Sequence, residues 1–205
     1  MVSQYHEKGG EEMGIKHDVL LPKHKEFIQR QHLFFVGSAP LSEEGHVNLS
    51  PKGYSSFRIL SDNQVAYLDM SGSGNETSAH ILENGRVTLM FCAFEGPPSI
   101  VRLYGTGTVA LPGSNRWEEL YPLFDPLPGA RQMIIVDVHM VQDSCGFGVP
   151  FMKYEGDRKK LKEVSLKFRK EQLDKYWHEK NAASIDGLPT AFGLPDLQEN
   201  ERLLK

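Results

Sequence analysis

The residues whose types and spacing best suit chemistry form the stretch S-G-S-G-N-E-T-S, residues 71–78, which lies between two apolar runs. Glycines let a backbone approach a ligand closely, and the start of a helix offers unpaired N–H groups and a positive dipole end. The hydroxyls of Ser71, Thr77 and Ser78 add hydrogen-bonding groups at the same place. The stretch therefore predicts a loop that can hold a phosphate group.

The same residues have a structural alternative, because Ser and Asn are preferred helix N-caps. Ser73 or Asn75 could cap a short helix that Thr77 opens, and the sequence leaves capping and ligand binding equally open. Glu76 is unfavourable beside a phosphate, so we expect its carboxylate to turn away or to pair with a basic residue such as Arg102.

Two basic residues, one in a predicted turn and one in an apolar strand, could belong to a binding site. Lys52 belongs to S-P-K-G, where proline fixes the backbone of a turn directly after a strand. It is either an exposed turn residue or an anion contact. Arg102 lies within I-V-R-L-Y-G, so its side chain is either on the solvent face of a strand or in a site.

Several familiar catalytic patterns are missing from the sequence. There is no G-x-x-x-x-G-K-[ST] loop, no third glycine for a dinucleotide fingerprint after Gly74, and no G-x-S-x-G nucleophile elbow. Cys92 and Cys145 have no histidine partners at metal-ligand spacing, and we expect both to be reduced thiols. The sequence therefore predicts no metal site and leaves any catalytic residue unknown.

The elements that must position these groups follow from hydrophobic periodicity and turn residues. Helices are predicted to start at Pro22, to cover 77–82 and 115–121, and to form one long helix over 158–180. Strands are predicted at 33–39, 46–50, 57–60, 65–69, 87–94, 100–111 and 131–141. Because the helices do not alternate with the strands, a small antiparallel barrel decorated by helices is favoured over a doubly wound sheet.

The composition is that of an ordinary globular domain, with 205 residues, 40% hydrophobic and 24% charged. A net charge of −4 argues against a protein devoted to nucleic acid. No run approaches the roughly 18 apolar residues that a membrane span needs, and the first residues are polar rather than a signal peptide. We therefore expect a cytoplasmic protein with no nucleic acid or membrane partner.

Five blocks of sequence then point to one family: F-F-V-G-S-A-P, V-N-L-S-P-K-G, S-G-S-G-N-E-T-S-A-H, R-V-T-L-M-F-C-A-F and V-R-L-Y-G-T-G. In this order they resemble the pyridoxamine 5′-phosphate oxidase-like family of flavin-binding split β-barrels. The resemblance implies a mainly β fold of the α+β type, with a six-stranded antiparallel Greek-key split barrel, peripheral helices and a long C-terminal helix. It divides the chain into a flexible lead-in (1–20), the FMN-binding barrel (21–150) and a helical extension of the same domain (151–205).

The resemblance also implies a homodimer that holds FMN at its interface. It places three residues along the isoalloxazine ring and ribityl chain: Asn48, Ser50 and Lys52. It places four residues near the phosphate: Ser71, Thr77, Ser78 and Arg102. A lysine near the ring could stabilise negative charge on the reduced flavin.

The chain departs from the vitamin B6 oxidase itself in two places. Val47 stands where the oxidase's R-x-V-L-L-K block begins with a basic residue, and no R-L-x-P signature follows Trp177. We therefore expect an FMN-dependent oxidoreductase that acts on an unidentified small molecule rather than on pyridoxamine phosphate. The alternatives are a non-catalytic flavin- or heme-binding sensor protein and an enzyme that uses deazaflavin.

Overall fold

The computed structural model of the chain describes residues 14–194. Within them the strands are β1 (Lys16–His17), β2 (Phe34–Ser38), β3 (Asn48–Lys52), β4 (Phe57–Ile59), β5 (Gln64–Met70), β6 (Arg86–Cys92), β7 (Ile100–Ala110) and β8 (Ala130–Ser144). The α-helices are α1 (Pro22–Gln29), α2 (Glu76–Asn84), α3 (Asn115–Leu120), α4 (Lys160–Ser165) and α5 (Lys170–Lys180). A single 3-10 turn, Tyr121–Leu123, follows α3.

All strand pairs are antiparallel and form one sheet in the order β3-β2-β6-β7-β8-β5-β4, with β1 added to β8. The sheet curls because the long pair β7 and β8 shifts register between Tyr104 and Gly105. Glycine is required there, since a Cβ on Gly105 would lie 2.5 Å from the carbonyl oxygen of Asp137. The end strands β3 and β4 are consecutive in the chain but do not pair, and this gap is the split in the barrel.

The core follows the period-two alternation of the strands, which directs every second side chain inward. Phe34 of β2 and Phe91 of β6 pair across the sheet and stack with ring centroids 5.4 Å apart. Phe57 packs edge-on against Phe91, so strand β4 is held to the rest of the barrel through aromatic contacts. A second buried apolar cluster contains Trp117 and Leu120 of α3 together with residues of β5 and β8.

The predicted split β-barrel with peripheral helices is confirmed, and the predicted strands overlap those of the structure. The sheet has eight strands in the described residues rather than six, since the short β1 and β4 extend it at β8 and β5. Lys16–His17 and the buried Leu20 belong to the fold, although they fall in the predicted lead-in. Residues 1–13 and 195–205 of the predicted end regions lie outside the described part.

The prediction of a single long C-terminal helix over 158–180 was wrong. The structure has two helices, α4 and α5, and the chain between them is extended at Arg169, with φ −71° and ψ 158°. Helices of this length need an apolar face that packs on the protein. Leu166 and Phe168 are instead exposed, so nothing holds one continuous helix together.

No helix between residues 14 and 194 is long and apolar enough to cross a membrane.

Candidate functional site: a glycine-rich loop and a buried ion cluster

The glycine-rich loop connects strand β5 to helix α2. Helix α2 starts at Glu76 and stops at Gly85, whose left-handed φ of 73° turns the chain into β6. Asn75 occupies the N-cap position, but within the described residues no side chain caps this helix end through a hydrogen bond. The capping alternative is therefore not realised, and the first amides of α2 lack helical acceptors.

A chain of hydrogen bonds joins three of the predicted site residues. The Asn48 Nδ2 donates to the Thr77 Oγ1 over 3.0 Å, and the Ser50 hydroxyl donates to the Asn48 Oδ1 over 3.0 Å. At the inner end of this chain, the Ser38 hydroxyl lies 2.9 Å from the Nδ1 of the buried His80. Strand β3 and helix α2 thus meet through polar side chains, and the cofactor contacts of Asn48, Ser50 and Thr77 stay predictions.

Lys52 belongs to a buried ion cluster beside the loop. Its Nζ lies 2.6 Å from the Asp69 Oδ1 across the split in the barrel. The Arg131 guanidinium binds the other oxygen of Asp69 over 2.9 Å and donates to the Gly74 carbonyl over 2.8 Å. The Gln132 amide donates to both Asp69 and Asn75, so the cluster connects β3, β5, β8 and the loop.

The sequence analysis missed Arg131, Asp69 and Gln132. A usable signal was present, since A-R-Q-M-I-I-V carries a cation at the start of a strongly apolar strand. That is the same pattern that drew attention to Arg102 in β7. The two arginines cannot be ranked from pattern alone, because the curl of the sheet decides which one lies beside the loop.

The charges in this cluster do not cancel. Burial alone would raise the pKa of the Asp69 carboxyl, but the charges of Lys52 and Arg131 and the hydrogen bonds from Lys52 and Gln132 hold that pKa well below its usual range. Asp69 is therefore ionised and two cations share one carboxylate. The Arg131 Nη1 is buried and has no hydrogen-bond partner among the described residues. Because buried polar groups normally have a partner, the cluster carries unused positive charge and an unused donor.

A C-terminal segment, residues 177–192, which we term the C-terminal cover, lies over the loop. The Trp177 Nε1 donates to the Ser71 hydroxyl over 2.8 Å, and the Ala191 amide donates to the Ser78 hydroxyl over 3.1 Å. The Glu76 carboxylate accepts from the Ile185 amide over 2.9 Å, so it has turned toward the cover. Ser71 and Ser78 thus have partners from the chain itself, and their phosphate contacts stay predictions.

Arg102 lies away from the other six predicted residues within one chain. Strand β7 is three strand spacings from β3, or about 14 Å at ~4.8 Å per spacing. Arg102 stands opposite Met90, and Lys52 stands opposite the inward-facing Phe34, so their side chains lie on different faces of the sheet. The Arg102 Nη1 donates to the Ser144 hydroxyl over 3.1 Å, and its phosphate contact also stays a prediction.

A second polar cluster, His17, His24 and Asp143, has the residue types of a metal site, with its candidate ligand atoms all within 4.8 Å of one another. Its hydrogen bonds argue against a metal ion. The His24 Nδ1 accepts the Leu21 amide over 3.0 Å, so its Nε2 carries the proton and donates to Asp143. The Lys23 Nζ also binds this carboxylate over 2.6 Å, which supplies the positive charge from the protein itself.

Comparisons with known proteins identify relatives of this chain. The pyridoxamine 5′-phosphate oxidase family profile matches residues 20–145. The chain is 40% identical over 194 residues to the pyridoxamine 5′-phosphate oxidase family protein ustO of Aspergillus flavus, covering 86% of this chain and 78% of that protein.

Solved structures with a similar course of the chain include HupZ of Group A Streptococcus, with 20% identity and a TM-score of 0.45. That match covers 59% of this chain and 91% of HupZ. Another is an FAD-binding protein of Mycobacterium smegmatis, with 10% identity and a TM-score of 0.43. It covers 62% of this chain and 96% of that one.

Proposed function

The chain belongs to the pyridoxamine 5′-phosphate oxidase family, and we propose that it is an FMN-dependent oxidoreductase acting on a small organic molecule. The observation that carries the proposal is the unbalanced buried charge at the glycine-rich loop. Lys52 and Arg131 share the single carboxylate of Asp69, which leaves one positive charge within this cluster.

The residues at the loop fit a phosphate monoester. The start of α2 has no side-chain cap within the described residues, so its amides and dipole suit an anion. The unpaired Arg131 Nη1 suits the same charge. Glu76, the acidic residue in the first turn, keeps its negative charge, and its carboxylate accepts a hydrogen bond from the Ile185 amide of the C-terminal cover.

Bound FMN would supply hydride and electron transfer at its ring, so no protein nucleophile is required. The protein's part is to bind and orient. Asp69 fixes the Lys52 ammonium, which can then stabilise negative charge on a neighbouring group. Asn48 and Ser50 supply a row of hydrogen-bonding groups along β3, and Arg131 holds the Gly74 carbonyl and so the shape of the loop.

We further propose that the chain forms a homodimer with the cofactor at the interface. Strand β3, which carries Asn48, Ser50 and Lys52, is an edge of the sheet and its outer edge is unpaired. Val47 and Leu49 alternate with these residues and are 77% and 66% exposed. An exposed apolar edge strand favours association, and a second copy would cover it beside the polar row. Sedimentation of the purified chain at the mass of a monomer would contradict the dimer.

The proposed function is tested by titrating the purified chain with FMN and with riboflavin, which lacks the phosphate. We expect FMN to bind at least about ten-fold more tightly than riboflavin, since charge-assisted hydrogen bonds to a phosphate exceed 1.4 kcal/mol. Lys52→Met should weaken FMN binding by about ten-fold, because one of the two cations is lost. Lys25→Met, on helix α1, is the matched control and should bind like the wild type.

Reduction of the bound flavin by NADH or NADPH, followed by reoxidation with a substrate or oxygen, would support the enzymatic role. Tight flavin binding without turnover would favour a non-catalytic flavin-binding protein instead. Uptake of heme or deazaflavin with no uptake of FMN would contradict the proposed cofactor. Equal affinities of the wild type and Lys52→Met for FMN would contradict the proposed site.

A further inference from the structure

Positive charge is concentrated in one stretch of the C-terminal extension, residues 158–170, which we term the basic segment. Seven cations stand there against one carboxylate, Glu163, a charge of +6 in a chain whose net charge is −4. When the flanking Asp157 and Glu171 are included, seven cations against three carboxylates still leave +4. The cations of the basic segment are Arg158, Lys159, Lys160, Lys162, Lys167, Arg169 and Lys170.

These charges are not paired within the described part of the chain. Six of the seven cations are exposed, and none of the seven forms an ion pair with any residue from 14 to 194. The half-buried Lys162 instead lies over the ring of Tyr54, with its Nζ 4.7 Å from the ring centroid. Exposed cations elsewhere, such as Arg30 and Lys175, have a carboxylate partner one helical turn away. The positive charge of the basic segment is therefore available to an external anionic surface.

Large apolar side chains are exposed in the same segment. Leu166 and Phe168 lie between α4 and α5 and are 70% and 47% exposed, and Val164 of α4 is 36% exposed. Leu166 and Phe168 alternate along the chain with Lys167 and Arg169. Exposed leucine and phenylalanine next to lysine and arginine are typical of protein surfaces that bind at the boundary between lipid headgroups and acyl chains.

The turn that carries Leu166 and Phe168 is held to the protein on both sides. Before it, Ser165 is buried against Gly129, where an added Cβ would clash with the Ser165 hydroxyl. After it, the Arg169 amide donates to the Gln172 Oε1 over 2.9 Å, and α5 is anchored through the hydrogen bond from Trp177 to the glycine-rich loop. A surface fixed in this way needs little ordering when it binds.

We propose that the basic segment binds an anionic phospholipid surface, with its cations at the headgroups and with Leu166 and Phe168 in the boundary layer beneath them. Lysine and arginine are attracted to the negative potential of such a surface, and inserted apolar side chains add the gain from leaving water. Exposed aliphatic side chains favour lipid over nucleic acid, whose backbone offers phosphates but no apolar layer.

The expectation of no membrane partner rested on the missing apolar span, and binding at a surface requires none. The proposal also does not depend on the flavin function, because it uses none of the residues of the candidate cofactor site.

The experiment measures sedimentation of the full chain with vesicles of phosphatidylcholine and phosphatidylserine, and with vesicles of phosphatidylcholine alone. We expect at least about ten-fold stronger binding to the anionic vesicles, and weaker binding as salt screens the exposed charges. Lys159→Gln combined with Lys160→Gln should weaken this binding by at least about ten-fold, because two headgroup contacts are lost. Arg30→Gln combined with Lys175→Gln is the matched control, since it removes the same charge from exposed positions outside the basic segment and should bind like the wild type.

The apolar contact is tested by Leu166→Ala, which should weaken binding to the anionic vesicles by at least about three-fold because inserted methylene groups are lost. Leu41→Ala is the matched control, since Leu41 is 62% exposed in the turn between β2 and β3, outside the basic segment. A wild-type circular dichroism spectrum for each variant confirms that a loss of binding is local.

The proposal is overturned if the wild type does not bind the anionic vesicles, or if the two double variants weaken binding equally, since any exposed cations would then suffice. Wild-type binding by Leu166→Ala would also overturn it, because no apolar side chain would enter the boundary layer. Binding of a DNA duplex through Lys159 and Lys160, without binding of vesicles, would assign the basic segment to nucleic acid instead.

Discussion

The glycine-rich loop and the cleft beside helix α1 differ in how many of their polar groups have hydrogen-bond or ion-pair partners within the chain. At the glycine-rich loop, the C-terminal cover supplies partners to Ser71, Glu76 and Ser78 from more than 100 residues away. A cleft between helix α1 and the loops 93–99 and 144–154 is different. Its two loops contact each other through the backbones of Gly146 and Ser99, and Lys153 is exposed. The loop region therefore contains buried charged groups that are paired within the protein. The cleft is a cavity at the surface whose walls are held by backbone contacts.

This difference predicts different responses to substitution. A buried charge cluster loses stability when one member is removed, because the remaining charges have no water to replace their partner. A preformed surface cleft loses ligand affinity first, and it loses stability only where its backbone is strained. Two substitutions and one pH dependence test these expectations.

The largest effect is expected from Asp69→Asn in the ion cluster. Arg131 would then be buried, and Lys52 half-buried, without a carboxylate. Such a loss costs about 3–5 kcal/mol of the free energy of unfolding. Urea denaturation measures this loss. The matched control is Asp62→Asn, which removes the exposed ion pair to Lys25 and should cost about 0–1 kcal/mol. Equal losses for the two variants would mean that Asp69 is not part of a coupled buried cluster.

A smaller effect is expected from Gly146→Ala in the wall of the cleft. The new Cβ would contact the Ser99 backbone in a left-handed conformation, and such strain costs about 1–3 kcal/mol. Gly148→Ala is the control, since no atom lies within 4 Å of a Cβ there, and it should change stability by less than about 0.5 kcal/mol.

The smallest effect concerns the exposed contact between His46 and Asp186, which fastens the C-terminal cover to the β2–β3 turn over 2.6 Å. The hydrogen bond to Asp186 raises the pKa of His46, and the hydrogen bonds from His46 lower the pKa of Asp186. The stabilisation from His46 is thus complete below its ordinary pKa of 6.5 and disappears as the pH rises through the raised value.

The contribution of Asp186 is present above its ordinary pKa of 3.8 and disappears as the pH falls through the lowered value. Amide hydrogen exchange at residues 184–188, corrected for intrinsic rates, should therefore be slowest between the lowered pKa of Asp186 and the raised pKa of His46, and faster as the pH rises through the latter. His46→Gln should remove this pH dependence, whereas His139→Gln should leave it unchanged. A flat profile in the wild type would show that the contact does not hold the cover.

Much of the fold was predictable because it depends on local pattern. The apolar runs in V-A-Y-L and V-T-L-M-F-C predict strands, and the structure has β5 and β6 there. Helix α2 ends just before Gly85, whose backbone is left-handed. The same local reasoning was wrong over 158–180. Apolar residues recur there at helical spacing, but Leu166 and Phe168 find no surface to pack on, so periodicity did not become one helix.

The candidate site was predictable in part. The resemblance grouped Asn48, Ser50 and Thr77, and the structure joins them by hydrogen bonds. It also identified Lys52, but neither its partner Asp69 nor the second cation of the cluster followed from the sequence. Arg102 and Arg131 have the same signal, a cation in an apolar strand, and only the position of β8 beside β5 brings Arg131 to the loop.

The sequence by itself determined strands β2 to β8, the short helix after the glycine-rich loop and the membership of the family, because these depend on neighbouring residues and on blocks of residues in order. Tertiary structure alone decided three things: which arginine lies at the loop, that the C-terminal cover supplies partners to Ser71 and Ser78, and that a cleft opens between helix α1 and the loops 93–99 and 144–154. Each depends on how the sheet curls and which face each strand presents, and burial of side chains far apart in the chain sets both.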